Sequence, residues 1–476
     1  MYESIIGLEI HLALSTESKL FCGCPADSFH AEPNADTCPV CLGLPGTLPQ
    51  VNREAITKAI MFARAVGCEV PAVTRFHRKH YFYPDAPKNY QTSQDEGPIG
   101  EHGSLTLSTG RTIGITRCHL EEDAGRSVHP PYRDYSLIDL NRAGSPLIEM
   151  VTEPDLRSPE EAREFLSLVR ATARALYVSD ASPEEGKMRA DVNVSLRRPG
   201  EPFGTKVEVK NLNSFRSVAS ALEFEIARQA DLLDAGREIA QQTRGWNEGG
   251  QKTYVMREKE ESADYRYLTD PDITPVVIDA AWLAEIEAAT KELPGEKHER
   301  YLAAGVREAE ADLIAPDRDM AEFFDAALEQ LEASDLQATP QQVANWLGSD
   351  VAGQLNAAGT QLADSQLTPE ALVALVNLVA AGDISGRTGK DLLPEVLDGA
   401  DPEQLVEERG LKAISDEGAL QTLVDGVIGA NPELVERVRK NPKAINALLG
   451  LVMKESRGTA RPDVVRELLS ERLNVS

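Results

Sequence analysis

His119-Leu120-Glu121-Glu122-Asp123-Ala124-Gly125-Arg126, followed by Leu137-Ile138-Asp139-Leu140-Asn141-Arg142-Ala143-Gly144-Ser145-Pro146-Leu147-Ile148-Glu149, sets acids, a histidine and arginines into segments that otherwise read as buried strands. A carboxylate is costly to bury unless a cation or several hydrogen bonds compensate it. Acids spaced along apolar strands therefore point to a held metal or cation, and so to chemistry.

The same alternation recurs elsewhere. In Ile5-Ile6-Gly7-Leu8-Glu9-Ile10-His11-Leu12, a strand places Glu9 and His11 on one face and Leu8, Ile10 and Leu12 on the other. Met188-Arg189-Ala190-Asp191-Val192-Asn193-Val194-Ser195 and Lys206-Val207-Glu208-Val209-Lys210-Asn211 repeat it, so five polar-faced strands are expected to line one cleft. An oxygen-rich set with one imidazole suits Mg2+ or Mn2+, hard cations that bridge protein acids to phosphates, and makes a nucleotide the natural co-substrate. No GxxxxGK[ST] phosphate loop is present, so an ATP site has to work through metal and side chains. The competing reading, in which each acid pairs with a neighbouring Arg or Lys on a half-solvated sheet, fits any single strand as well. Recurrence across five strands favours the cleft.

A chain of 476 residues exceeds what one hydrophobic core usually supports. Up to about Ile278 it mixes short β-rich runs, turns and a few helices without regular βαβ alternation, an α+β signature. One helix there is well marked: Ser158-Pro159-Glu160-Glu161 supplies an N-cap, a first-turn proline and a reciprocal glutamate ahead of Phe165, Leu166 and Val169. After Leu293-Pro294-Gly295 the composition turns to Ala, Leu, Glu and Gln, with helix starts at Thr339-Pro340 and Thr368-Pro369. The expected division is a catalytic region at 1–293, an all-helical linker at 294–405 and a small helical tail at 406–476.

The net charge of −28 argues against nucleic-acid binding by the body of the chain. From Asn431 onward, however, nine bases outnumber six acids, which is compatible with RNA docking through the tail or with a plain solvated face. The start, Met1-Tyr2-Glu3-Ser4, lacks the basic stretch of a secretory signal. The apolar run from Ala371 to Ala381 is too short for a membrane span. A soluble cytoplasmic protein is expected.

Among six cysteines, Cys22-Gly23-Cys24 and Cys38-Pro39-Val40-Cys41 form two close pairs bracketing a loop rich in Pro, Asp and Asn. That spacing predicts a structural Zn2+ on Cys22, Cys24, Cys38 and Cys41, because tetrahedral thiolate coordination closes a loop that has no core of its own. A disulfide pair or free thiols are the alternatives. Four thiolates leave no open coordination position, so catalysis is sought at the carboxylates.

Several long strings resemble one family. Gly7-Leu8-Glu9-Ile10-His11, Tyr81-Phe82-Tyr83-Pro84-Asp85 with Pro87-Lys88-Asn89-Tyr90-Gln91, His119 to Arg126, Leu137 to Glu149, Lys206 to Phe215 and Asp264-Tyr265-Arg266-Tyr267 are all similar to the B subunit of tRNA-dependent amidotransferases. The likeness runs essentially end to end. It implies an N-terminal cradle of the glutamine-synthetase and guanidino-kinase type, a helical linker and a helical tail. It also implies an activity: using ATP and Mg2+ to phosphorylate the side-chain carboxylate of Glu-tRNA(Gln) or Asp-tRNA(Asn), which ammonia then converts to the amide. The implied partners are an amidase (glutaminase) subunit, a small third subunit, the misacylated tRNA and a non-discriminating aminoacyl-tRNA synthetase.

With the resemblance in hand, Glu9, His11, Glu122 and Glu149 are taken as Mg2+ ligands, with Asp191 and Glu208 close by for a second, nucleotide-linked metal. Strand parity allows only one side of the Glu121/Glu122 pair to face the cleft; the family likeness selects Glu122, whereas alternation alone does not decide. Lys79, Lys88, Arg142 and Arg189 are candidates for phosphate contact or for the mouth of an ammonia channel, and equally for structural ion pairs. Lys454, Arg457 and Arg461 are the candidate tRNA contacts. The zinc rests on spacing and not on the family. Two rivals remain at this point: a non-catalytic tRNA-binding scaffold with a structural cation, and a metal-dependent nuclease, since clustered carboxylates also serve two-metal hydrolysis.

Overall fold

Strand β1 (Glu3–Ala13) is buried throughout Ile5 to Leu8, and from Leu8 the buried Ile10 and Leu12 alternate with the more accessible Glu9, His11 and Ala13. The computed structural model describes residues 2–258, 265–412, 417–441, 444–456 and 459–473, divided into two compact units, Met1–Leu293 and Pro294–Ser476.

In the first unit β1 is followed by β2 (Val73–Thr74), β3 (His77–His80), β4 (Tyr90–Ser93), β5 (Gly100–Thr106), β6 (Thr112–Glu122), β7 (Arg126–Val128), β8 (Leu137–Asp139) and β9 (Pro146–Thr152). Then come β10 (Met188–Arg197), β11 (Val207–Lys210), β12 (Gln242–Asn247), β13 (Lys252–Glu258), β14 (Leu268–Thr269) and β15 (Val276–Val277). Eight of them make one sheet in the order β13-β12-β11-β10-β1-β9-β6-β5, antiparallel except where β11 meets β12. Helices α1 (Arg53–Ala65), α2 (Pro159–Ala175), α3 (Phe215–Asp234) and α4 (Ala280–Ala289) complete the unit. One face of the sheet, with Leu8, Ile10, Leu12, Leu120, Ile148, Met150, Val192 and Val194, joins Ile56, Ile60, Phe165, Leu166, Val169 and Leu222 of these helices in a single apolar core. The opposite face keeps the polar residues, and that asymmetry is what creates a site.

Two sequence expectations are corrected. The stretch 137–149 is not one strand: β8 pairs with β7 in a separate hairpin, and only β9 enters the main sheet, so Asp139 does not lie on it. At α2, Ser158 caps through the Glu161 N–H as expected, but the Glu161 carboxylate accepts from the Arg157 N–H, one residue before the cap.

The second unit is helical: α5 (Pro294–Ala303), α6 (Glu308–Ile314), α7 (Arg318–Ala333), α8 (Pro340–Asn345), α9 (Ala352–Ala358), α10 (Pro369–Ala380), α11 (Gly386–Leu397), α12 (Pro402–Glu408), α13 (Glu417–Ala430), α14 (Pro432–Lys440), α15 (Ile445–Glu455) and α16 (Pro462–Leu473). The Thr339 side chain and Gln342 form the reciprocal capping box at α8, and Thr368 caps α10. Its apolar residues fall into two clusters, Tyr301 to Val406 and Leu420 to Leu473. No helix among the described residues is long and apolar enough to cross a membrane.

Candidate active site

Directly opposed residues in a sheet share a face, so the register of six strands builds the site. His11 lies opposite Glu149, and Glu149 opposite His119. Glu9 lies opposite Asp191, Asn193 opposite Glu208, and Glu208 opposite Thr243. The result is a polar row across the face turned away from the core.

Two carboxylate groups occupy this row. In the first, ligand atoms of His11, Glu121 and Glu149 lie within 4.8 Å of one another. The Glu149 Oε2 is 3.4 Å from both His11 Nε2 and His119 Nε2, and His119 Nε2 is 3.5 Å from Glu121 Oε2. Ser93 Oγ donates to the same Glu121 oxygen at 3.0 Å. In the second, Glu9, Asp191 and Glu208 also converge within 4.8 Å. Asn193 Nδ2 donates to Glu9 Oε1 at 2.9 Å, Thr243 Oγ1 to Glu208 Oε2 at 2.8 Å, and Lys210 pairs with both Asp191 and Glu208.

The electrostatics follow from burial against charge pairing. Burial works against the His119 imidazolium, yet Glu149 and Glu121 hold its pKa up at about 9. Burial likewise opposes charge on His11, but Glu149 raises it. Burial also opposes ionisation of Glu149, and His119 and His11 keep it well below the usual carboxylate range all the same. The Lys79 ammonium, above the Tyr265 ring at 5.2 Å, is opposed by burial but raised by Glu121 and Glu149. Asp191 and Glu208 do the same for Lys210, to about 12, against its burial.

The expected quartet of Glu9, His11, Glu122 and Glu149 is therefore not one site. Parity along β6 sends Glu121 to the side of His119, while Glu122 turns away to pair with Lys88 and accept the Thr92 N–H at 2.8 Å. Glu9 belongs with Asp191 and Glu208. Of the candidate cations, Lys88 is committed to Glu122. Arg142 is held by Asp123 at 3.2 Å and by the Ala124 and Gly125 carbonyls. Arg189 reaches Asp123 at 3.2 Å and stays partly exposed. Sequence reasoning left out His119 and Lys210 and ranked Glu121 below Glu122; the two-residue step from His119 to Glu121 was the available signal.

The donor sets fit divalent cations. Three carboxylates suit a hard ion, and the imidazole–carboxylate group suits Mg2+ or Mn2+, with the buried His119 Nδ1 having no hydrogen-bond partner among the described residues. The sulfurs of Cys22, Cys24, Cys38 and Cys41 also gather within 4.8 Å, the arrangement a tetrahedral thiolate site requires. Hydrogen bonding from Cys22, and after it the Cys38 N–H and Lys19, draw the Cys41 thiol down to about 4.

In the helical unit a cleft of about 990 Å³ opens between the α10–α11 turn and α15. It is lined by Arg387, Lys454 and Arg461 together with Ser385, Thr388 and Asn446, with Asp391 as its one acid among the described residues. Lys454 and Arg461 are thus brought together; Arg457 and Asp264 lie outside the described residues.

Residues 4–284 match the GatB/GatE catalytic domain and residues 322–473 the GatB domain. Over all of both chains the sequence is 56% identical to the B subunit of the aspartyl/glutamyl-tRNA(Asn/Gln) amidotransferase of Thermus thermophilus and to that of Deinococcus radiodurans. It is 44% identical, over 99% of each chain, to the protein of the same name from Brevibacillus brevis. An acidic sheet face, a helical unit and end-to-end similarity agree: the chain belongs to the family of tRNA-dependent amidotransferase B subunits.

Proposed function

We propose that this chain is the kinase and amidation subunit of a glutamine-hydrolysing amidotransferase acting on Glu-tRNA(Gln), Asp-tRNA(Asn) or both. The observation that carries the reading is the pair of carboxylate clusters on one sheet face, joined through Glu9 and His11 of β1. We read that sheet as the cradle of glutamine-synthetase and guanidino-kinase type, and the helical unit as a linker and a tRNA-docking tail divided after α12, whose Val406 packs in the first apolar cluster, and not at 405/406.

A carboxylate oxygen is a poor leaving group, and transfer of the ATP γ-phosphoryl group to it makes an acyl phosphate, at whose carbonyl carbon ammonia adds and inorganic phosphate leaves to give the amide. Mg2+, when bound, neutralises phosphate charge. Glu9, Asp191 and Glu208 would hold one such ion and His11, Glu121 and Glu149 a second. Lys79 offers a fixed positive charge over Tyr265, next to the acids, where an anionic substrate needs it. Arg189 stands opposite His11 in the sheet and, unlike Arg142, is not tied to backbone carbonyls of the 124–125 turn, so it supplies the phosphate contact. Zn2+ on the four cysteines is structural. The partners are an amidase subunit, a small third subunit and the tRNA, with a non-discriminating synthetase upstream; the setting is cytoplasmic translation.

The test uses the complete assembly with Mg2+ and ATP. Glu149→Gln is expected to cut phosphorylation of Glu-tRNA(Gln) by roughly 100-fold, the scale of losing one charge-stabilising group, with tRNA affinity kept. Undiminished phosphorylation sinks the reading. tRNA cleavage with Mg2+ but no ATP points to the nuclease instead.

A further inference from the structure

Lys19 is fully buried and sits beside the four-cysteine loop. Its ammonium donates to the Asp36 carbonyl at 2.7 Å and to Cys41 Sγ at 3.7 Å, and among the described residues no carboxylate lies within ion-pair distance. A buried ammonium without a carboxylate nearby is costly, and the group within its reach that can supply counter-charge is the Cys41 sulfur. The missing counter-charge is thiolate. A divalent ion on four thiolates leaves the centre with two excess negative charges, one of them beside the buried Cys41, and one buried ammonium offsets half of them. Each group is unfavourable alone, and the two are compatible only together.

The same contact reaches the acidic end of the sheet. Gly144, at φ +89°, lies where these groups meet: a Cβ there would be in van der Waals contact with Cys41 Cβ at 3.5 Å, Lys19 Cδ at 3.6 Å and Glu122 Oε2 at 3.8 Å. Its carbonyl accepts the Leu20 N–H and its own N–H donates to the Asp123 carbonyl, both at 2.9 Å. The cysteine loop is further stitched to the turn between β8 and β9: Asn141 accepts from the Asp36 N–H at 2.8 Å and donates to the Glu32 carbonyl at 2.7 Å. Asn34 accepts from the Leu140 N–H at 2.8 Å, and Ser145 donates to the Ala26 carbonyl at 3.0 Å. That turn leads into β9 and Glu149.

We propose that Lys19 is the charge-compensating, positioning group of a metal site on Cys22, Cys24, Cys38 and Cys41, and that the metal-closed loop clamps the 138–145 segment, the end of β8 and the turn after it. The inference rests on the zinc reading of the cysteines, and its consequence is that metal occupancy sets the order of that turn.

The experiment uses the full chain purified under reducing conditions. Zinc content is measured by elemental analysis, and zinc release to a colorimetric chelator is timed for wild type, Lys19→Met and Lys19→Arg. Wild type is expected to hold one zinc, Lys19→Met to release it at least about tenfold faster, the scale on which outer-shell groups act on a metal, and Lys19→Arg to lie close to wild type. Because Lys19→Met is a core change, hydrogen exchange of wild type before and after zinc removal serves as a second readout that needs no variant. Protection at 138–145 is expected to fall several-fold, with the helices of the second unit unchanged. Wild type without zinc removes the zinc reading and this inference with it. Zinc in wild type released equally fast from Lys19→Met, or unchanged exchange at 138–145, overturns the inference alone.

Discussion

Glu149 touches two histidines through one oxygen, and His11 and His119 converge on it at 3.4 Å each. Without a metal this is a buried ion network whose strength depends on His119 being protonated. A histidine raised from about 6.5 in the unfolded chain to about 9 in the fold contributes stability that is fully present below 6.5. That contribution is lost as pH rises through 9. Glu149, held low, contributes above the ordinary carboxylate range and loses that contribution as pH falls through its depressed value. Metal-stripped protein is therefore expected to melt highest near pH 6. Between pH 6 and 9.5 it should lose on the order of 2–3 kcal/mol from this network, and Glu149→Gln should flatten the slope. Calorimetric melts in chelator check this, and a wild-type curve that is flat across that window contradicts it.

At the scale of a strand, one position of parity separates two adjacent glutamates of β6 into different jobs. Glu121 faces His119 and Ser93 on the polar face, whereas Glu122 neutralises Lys88 on the other side. Their Gln variants should part accordingly. Glu122→Gln leaves Lys88 without its charge partner in a largely buried position, so it is expected to destabilise the fold by about 3 kcal/mol, with the activity lost tracking the fraction unfolded. Glu121→Gln is expected to lower ATP-dependent phosphorylation of the tRNA-linked carboxylate by roughly 10–100-fold at a near-normal melting temperature. Equal behaviour of the two variants in melt and rate contradicts the parity argument.

Across the whole molecule, an acidic chain of net charge −28 carries Arg387, Lys454 and Arg461 together around one cleft in its helical unit. A polyanion is attracted there by local and not net charge. Under the tRNA-docking reading, Lys454→Ala and Arg461→Ala are each expected to weaken tRNA binding and to reduce the magnitude of the slope of log affinity against log salt by about one. The phosphorylation rate at saturating tRNA should stay unchanged. A salt slope equal to wild type in the double variant rules out this cleft as the phosphate-contacting surface.

Local patterns were readable along the chain. Alternation placed Glu9 and His11 on one face of β1, the Ser158 and Thr339 caps marked the starts of α2 and α8, and close spacing announced the cysteine loop. Each depends on neighbours within a few residues, where backbone geometry alone dictates direction. Which acids meet was decided only in three dimensions. Glu9 joins Asp191 and Glu208, His11 joins Glu121 and Glu149, and Lys19 meets Cys41, through strand register and loop packing between segments far apart in the chain. A strand's own sequence sets its faces but not its partner's register, which the burial of the shared apolar core settles.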